Sequence, residues 1–78
     1  MTQALIYIVE DEPAQVEMLS YNLEKENFRT IVAGTGERAL LLVDEEPPDL
    51  IILDWMLPDI SGIEICRRFR AMAETKDI

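Results

Sequence analysis

The sequence predicts an α/β domain, a parallel sheet with helices on both faces. Three observations predict it. Short apolar runs rich in β-branched residues recur at Leu5–Val9 ("LIYIV"), Arg29–Ala33 ("RTIVA") and Leu50–Leu53 ("LIIL"). Stretches of helical period separate them. Runs that are apolar on both faces and alternate with helices mean a parallel sheet covered on two sides. Near-obligatory right-handed crossovers then leave few topologies.

Strand β1, Leu5–Val9, ends abruptly in the acids Glu10 to Glu12. These acids sit directly before a helix start, where the dipole favours them, and Glu12 reads as a cap or a solvated charge. Pro13 suits the first turn of helix α1, where a missing N–H costs nothing. The helix places Val16, Leu19, Ser20 and Leu23 on one stripe and fades near Asn27. Strand β2, Arg29–Ala33, leads through Gly34-Thr35-Gly36 into helix α2, from about Glu37 to Asp44, which buries Ala39, Leu40 and Val43. That turn lacks the third glycine of a phosphate loop and follows the second strand rather than the first, so it reads as a turn. The two prolines of "EEPPD" stop α2. Strand β3, Leu50–Leu53, is followed by a loop through Pro58 to Gly62 and by helix α3, from about Ser61 to Met72. Ile65, Phe69 and Met72 mark the buried face of α3, with Cys66 beside it as a small core residue. Trp55 is expected at a rim, and Arg67, Arg68 and Arg70 on a solvated face.

At 78 residues the chain is one small domain. A single cysteine excludes an internal disulfide and any multi-cysteine metal site, and the absence of histidine excludes histidine-based acid–base or zinc chemistry. There are 16 acidic against 7 basic residues, a formal charge of −9. Such a chain should repel nucleic acid and anionic membranes; the charge as a whole reads first as plain solubility, and it could also attract a metal cation or a basic partner. No basic stretch precedes the first apolar run, and no run approaches the ~18–20 residues of a membrane span. The expectation is a cytoplasmic protein with no membrane association and no direct nucleic-acid binding.

The informative stretch is "LIILDWMLPDISG", in which a buried strand delivers a carboxylate, Asp54, at its end. Open parallel sheets bind ligands at the carboxyl ends of their strands, where strand order reverses. If β1 and β3 are neighbours, in order 2-1-3, one crevice holds Glu10, Asp11 and Asp54. Their mutual repulsion is on the order of a few kcal/mol per pair at ~4 Å and intermediate dielectric. Held protons or a hard divalent cation would answer it. All-oxygen ligands favour Mg²⁺ or Mn²⁺, and a carboxylate beside such a metal can attack a phosphoryl group.

"LIYIVEDE" and "LIILDWMLPDISGIEICRRFR" resemble the receiver domains of bacterial two-component response regulators, and are most similar to the winged-helix, phosphate-regulon subfamily. The resemblance implies a flavodoxin-like fold and a signalling domain rather than an enzyme. It implies Asp54 as phosphoacceptor, Asp11 as a direct Mg²⁺ ligand, Glu10 as a second acid acting through water, and the Met56 backbone carbonyl as a further ligand. Pro58 and Gly62 match residues that shape the following loop. The implied phosphoryl donor is a sensor histidine kinase or a small phosphodonor, with transcription regulated through an output domain that is expected to lie outside residues 1–78. The hydroxyl residue after a fourth strand and the lysine after a fifth have no counterpart, and Thr75 and Lys76 do not match them. Residues 1–78 are thus expected to be the N-terminal part of one receiver, its first three β-α units, with "TKDI" leading toward a fourth strand. An exposed β3 edge would favour a homodimer or exchange of elements between copies. The alternative reading is a truncated or pseudo-receiver that acts by pairing, without phosphoryl chemistry. A haloacid-type phosphatase would need a second aspartate where Met56 stands.

Overall fold

The computed structural model describes residues 3–78. Its three strands form a parallel sheet in the order β2-β1-β3, so the strand met first in the chain lies in the middle. Leu5 pairs with Arg29 and Val9 with Ala33 on one side, and Ile6 pairs with Leu50 and Val9 with Leu53 on the other. Asp49 closes the start of the β1–β3 ladder. The Leu5 N–H donates to its Oδ2 at 2.7 Å, and the Asp49 N–H donates to the Leu5 carbonyl at 2.8 Å.

All five residues of β1 are buried, as a run apolar on both faces requires. Side chains alternate along a strand. Leu5, Tyr7 and Val9 join Ala33, Ala39, Val43, Ile65 and Phe69 in one core beneath α2 and α3. Ile6 and Ile8 therefore point to the opposite face, which α1 covers. Cover on both faces is complete for β1 alone. β2 and β3 are largely half-buried, and Val32 and Leu50 are exposed.

Helix α1 spans Pro13–Lys25 with Pro13 in its first turn, and Glu12 is its N-cap, accepting the Ala14 N–H at 2.9 Å. It ends at Asn27, whose φ of 70° lies in the left-handed region that asparagine tolerates. The Asn27 N–H bonds the Glu24 carbonyl and the Phe28 N–H the Leu23 carbonyl, both at 3.0 Å, which satisfies two orphan carbonyls in a Schellman arrangement. The expected stripe of Val16, Leu19, Ser20 and Leu23 faces inward but is only half-buried. Helix α1 packs on β2 and β1, and its outer face, with Met18 and Tyr21, is open.

Helix α2 spans Gly36–Glu45, one residue longer at each end than the sequence suggests. Thr35 caps it by accepting the Arg38 N–H at 3.1 Å. Ala39 and Val43 are fully buried, while Leu40 is half-buried. The Tyr7 hydroxyl, reaching from β1, donates to the Leu42 carbonyl at 2.9 Å and also meets the Glu46 carbonyl. Burial, reinforced by the nearby Glu46 and Glu45 charges, pushes the Tyr7 phenol up, so it stays a donor.

Helix α3 spans Gly62–Ala71 behind Ser61, whose Oγ accepts the Glu64 N–H at 3.2 Å. Ile65 and Phe69 are buried as expected, and Met72 is half-buried at the C-cap. Cys66 corrects the sequence reading: it is exposed. It lies one residue past Ile65, on the flank of α3 that overhangs the β3 edge, and lines an open groove with Ile51, Leu53 and Phe69. Residues 73–77 form turns, and the buried Thr75 hydroxyl donates to the Phe69 carbonyl at 2.6 Å. Among the described residues no helix is long and apolar enough to cross a membrane.

Two isoleucines of α3 should separate burial from propensity. Ile65→Ala empties a fully buried position and should cost about 2–5 kcal/mol. That is a large part of the roughly 4–12 kcal/mol available to a domain of this size. Ile63→Ala, at a position 52% exposed, should change stability by no more than about 0.5 kcal/mol. Urea denaturation of both variants measures the difference.

Candidate functional site

The parallel register carries two chain segments past the same end of the sheet. The Glu10 N–H still bonds the Ala33 carbonyl at 3.0 Å, and the Asp54 N–H bonds the Val9 carbonyl at 2.8 Å. The first residue beyond each strand is therefore held by the ladder, not free in a loop. Glu10, Asp11 and Asp54 each place a carboxylate oxygen within 4.8 Å of the others. Glu10 and Asp54 are half-buried, and Asp11 is exposed. Such spacing is repulsive for bare anions and suits a hard cation, which takes several oxygen ligands. An all-carboxylate donor set, in a chain without histidine, fits Mg²⁺ or Mn²⁺.

Met56, the fourth residue anticipated from the sequence, lies on the loop two residues past Asp54, with its side chain in solvent. Its N–H donates to Asp54 Oδ1 at 3.2 Å, a local turn that orients the carboxylate. Glu10 is oriented similarly, its Oε2 accepting the Glu12 N–H at 3.1 Å. Gly62 is required by close approach. A Cβ there would meet the Asp54 carbonyl oxygen at 2.7 Å and Trp55 Cα at 2.9 Å, and the Gly62 N–H donates to the Trp55 carbonyl at 3.0 Å. Trp55 is exposed at the rim. Arg67 and Arg68 stay on the solvated face and pair with Glu64 at 2.6 and 3.1 Å.

Asp59 escaped the sequence reading. Its two carboxylate oxygens accept the Gly36 and Glu37 N–H groups at the start of α2, both at 2.9 Å. These two bonds, Glu37 first, hold the Asp59 carboxyl below its ordinary value. No local pattern announces a partner 22 or 23 residues away; the only trace is an acid in the loop, between Pro58 and Ile60.

The chain matches the family model described as "Response regulator receiver domain" over residues 6–78. It is 51% identical over 71 residues to the phosphate regulon transcriptional regulatory protein PhoB of Rhizobium meliloti, covering 91% of this chain and 31% of that protein. The chain spans about a third or less of the length of the curated relatives it matches. Among solved structures, the N-terminal domain of a response regulator receiver protein from Methanoculleus marisnigri superposes with a TM-score of 0.92 at 34% identity, over 99% of this chain and 63% of that one. TrrA of Thermotoga maritima, solved in complex with Mg²⁺–BeF, superposes with a TM-score of 0.84 at 36% identity, over 88% of this chain and 60% of that one.

Two glycines test the loop geometry. Gly62→Ala should cost about 1–3 kcal/mol because its Cβ strikes backbone atoms. Gly34→Ala, with nothing within 4 Å, should stay within about 0.5 kcal/mol of wild type. Acid denaturation tests Asp59. Its folded value lies below the ordinary 3.8, so its contribution is complete above that pH and lost as the pH falls through the lowered value. Glu46, lowered by its hydrogen bond to Arg29, acts with the same sign. Asp59→Asn should make the loss of stability below pH 3.8 shallower, measured by urea midpoints at successive pH values.

Proposed function

The chain belongs to the response regulator receiver family, and on that premise we propose that it is the phospho-accepting receiver of a two-component system, with Asp54 as the phosphoacceptor. The observation that carries the reading is the convergence of Glu10, Asp11 and Asp54 at the ends of adjacent parallel strands. Asp11 and Asp54, with Glu10 through water and the Met56 backbone carbonyl, would hold Mg²⁺ or Mn²⁺. The Mg²⁺–BeF complex of the similar receiver TrrA supports that assignment. When bound, the cation supplies neutralisation for charge developing on the phosphoryl oxygens.

The protein's own residues do the rest. β3 fixes the Asp54 backbone, and the Met56 N–H engages Oδ1, which leaves the other carboxylate oxygen to attack. That oxygen forms a bond to phosphorus as the donor's bond to phosphorus breaks, and the electron pair leaves with the donor. The product is an aspartyl phosphate. The donor in this reading is a sensor histidine kinase or a small phosphodonor, and the setting is cytoplasmic. The transcriptional regulators among the relatives support control of transcription as the output. The second reading, a pairing module without phosphoryl chemistry, is favoured by the open apolar flank beside the β3 edge.

One experiment decides between them. Prolonged incubation with Mg²⁺ and a small phosphodonor should add a single phosphoryl group, read by mass spectrometry of the intact protein. Asp54→Asn and chelation of the metal should each abolish the adduct. Absence of an adduct on the wild-type chain favours the pairing module for residues 1–78.

A further inference from the structure

The loop from Asp54 to Ser61 carries Met56; Leu57 and Ile60 pack against the core, and few hydrogen bonds hold its backbone. Within it, the Met56 N–H reaches Asp54 Oδ1, and at its end the Gly62 N–H reaches the Trp55 carbonyl. Asp59 ties it to the start of α2. Both carboxylate oxygens are engaged at 2.9 Å by the Gly36 and Glu37 N–H groups, so the direction of the loop is fixed as well as its distance from α2. The junction is tight. A Cβ on Gly36 would lie 2.4 Å from Ile65 Cδ1 and 3.3 Å from Ile60 Cβ. Behind Gly36, β2 ends at Ala33, whose carbonyl accepts the Glu10 N–H at 3.0 Å. Asp59 thus closes a circuit that runs from Asp54 through the loop to α2, and from Ala33 back to Glu10.

Helix α2 does not depend on Asp59 for its cap, because Thr35 Oγ1 accepts the Arg38 N–H at 3.1 Å. The two side chains serve the same helix terminus, but Asp59 alone also belongs to the loop of the acidic site. This makes Asp59 a brace and Thr35 a local cap.

We propose that Asp59 is a positioning residue for the acidic site: it braces the Asp54–Ser61 loop against α2, so that Asp54 and the Met56 backbone meet Glu10 and Asp11 as one preformed cation site. The proposal rests on the metal reading given above. Three like charges push apart, and although the ladder holds the Asp54 backbone, a loop released from α2 no longer fixes Met56 or the N–H by which it orients the Asp54 carboxylate. Groups that orient metal ligands from outside the ligand set commonly change affinity by about 10–100-fold when removed.

Mg²⁺ titration followed by the fluorescence of Trp55, the chain's single tryptophan and the neighbour of Asp54, reads the effect without any turnover. Wild type, Asp59→Ala, Asp59→Asn and Thr35→Ala are compared, with urea denaturation of each. Asp59→Ala should weaken Mg²⁺ about tenfold. Asp59→Asn keeps one acceptor oxygen and should lose less. Thr35→Ala should lower the urea midpoint and leave Mg²⁺ affinity unchanged. Asp59→Ala binding Mg²⁺ as tightly as wild type overturns the proposal, and so does an equal loss in Thr35→Ala. Should Asp59→Ala fail to fold, Asp59→Asn against Thr35→Ala decides by the same comparison. A wild-type chain that takes no Mg²⁺ instead overturns the metal reading itself, and the positioning role with it.

Discussion

The parallel register of β1 between β2 and β3 is the constraint on which everything else depends. Val9 stands opposite both Ala33 and Leu53, so the next residue of each outer segment emerges at the same height. That puts Glu10 and Asp11 beside Asp54. A slip of one residue would turn every side chain of a strand to the opposite face. The slip is prevented by burial: Tyr7 and Val9 can face only the α2–α3 core, and Ile8 only α1. The apolar code of β1 thereby fixes the position of charged groups that contribute nothing to the core, which clustered anions need because they repel one another.

Helix α2 is the second fixed point, and it is held at both ends by residues distant in sequence. Tyr7 donates to the carbonyls at its C-terminal end, and Asp59 accepts from the N–H groups at its N-terminal end. Each supplies partners for groups that a helix leaves unsatisfied at its termini. The Arg29–Glu46 pair adds a contact at the C-terminal end, but it is exposed and adds little. Core and site are joined through this helix: one face buries Ala39 and Val43, and its start anchors the loop that follows Asp54.

Cover over the sheet is uneven. β1 is sealed on both faces, whereas β3 is half-buried and has a strand partner on one side alone among the described residues. The exposure of Cys66 and the half-burial of the α1 stripe have the same origin, since helical spacing assigns a residue to a face but not to a neighbour. Cys66 has the periodicity of a core residue, and the flank it faces is open.

The sequence by itself determined the three strands, their separation by helices, the acids at the strand ends and the place of Glu12 before a helix start. Each of these is set by interactions within a few residues along the chain, where side-chain period and capping chemistry are legible. It also made Asp54 conspicuous, as a carboxylate at the end of "LIIL". Only the tertiary structure decided that Tyr7 would serve α2, that Asp49 would close the β1–β3 ladder, that Cys66 would be exposed and that Asp59 would tie the Asp54 loop to α2. Those bonds join residues 22 to 44 positions apart. A donor or acceptor carries no periodic mark of a partner so far along the chain, so its role exists only once the sheet has brought the two together.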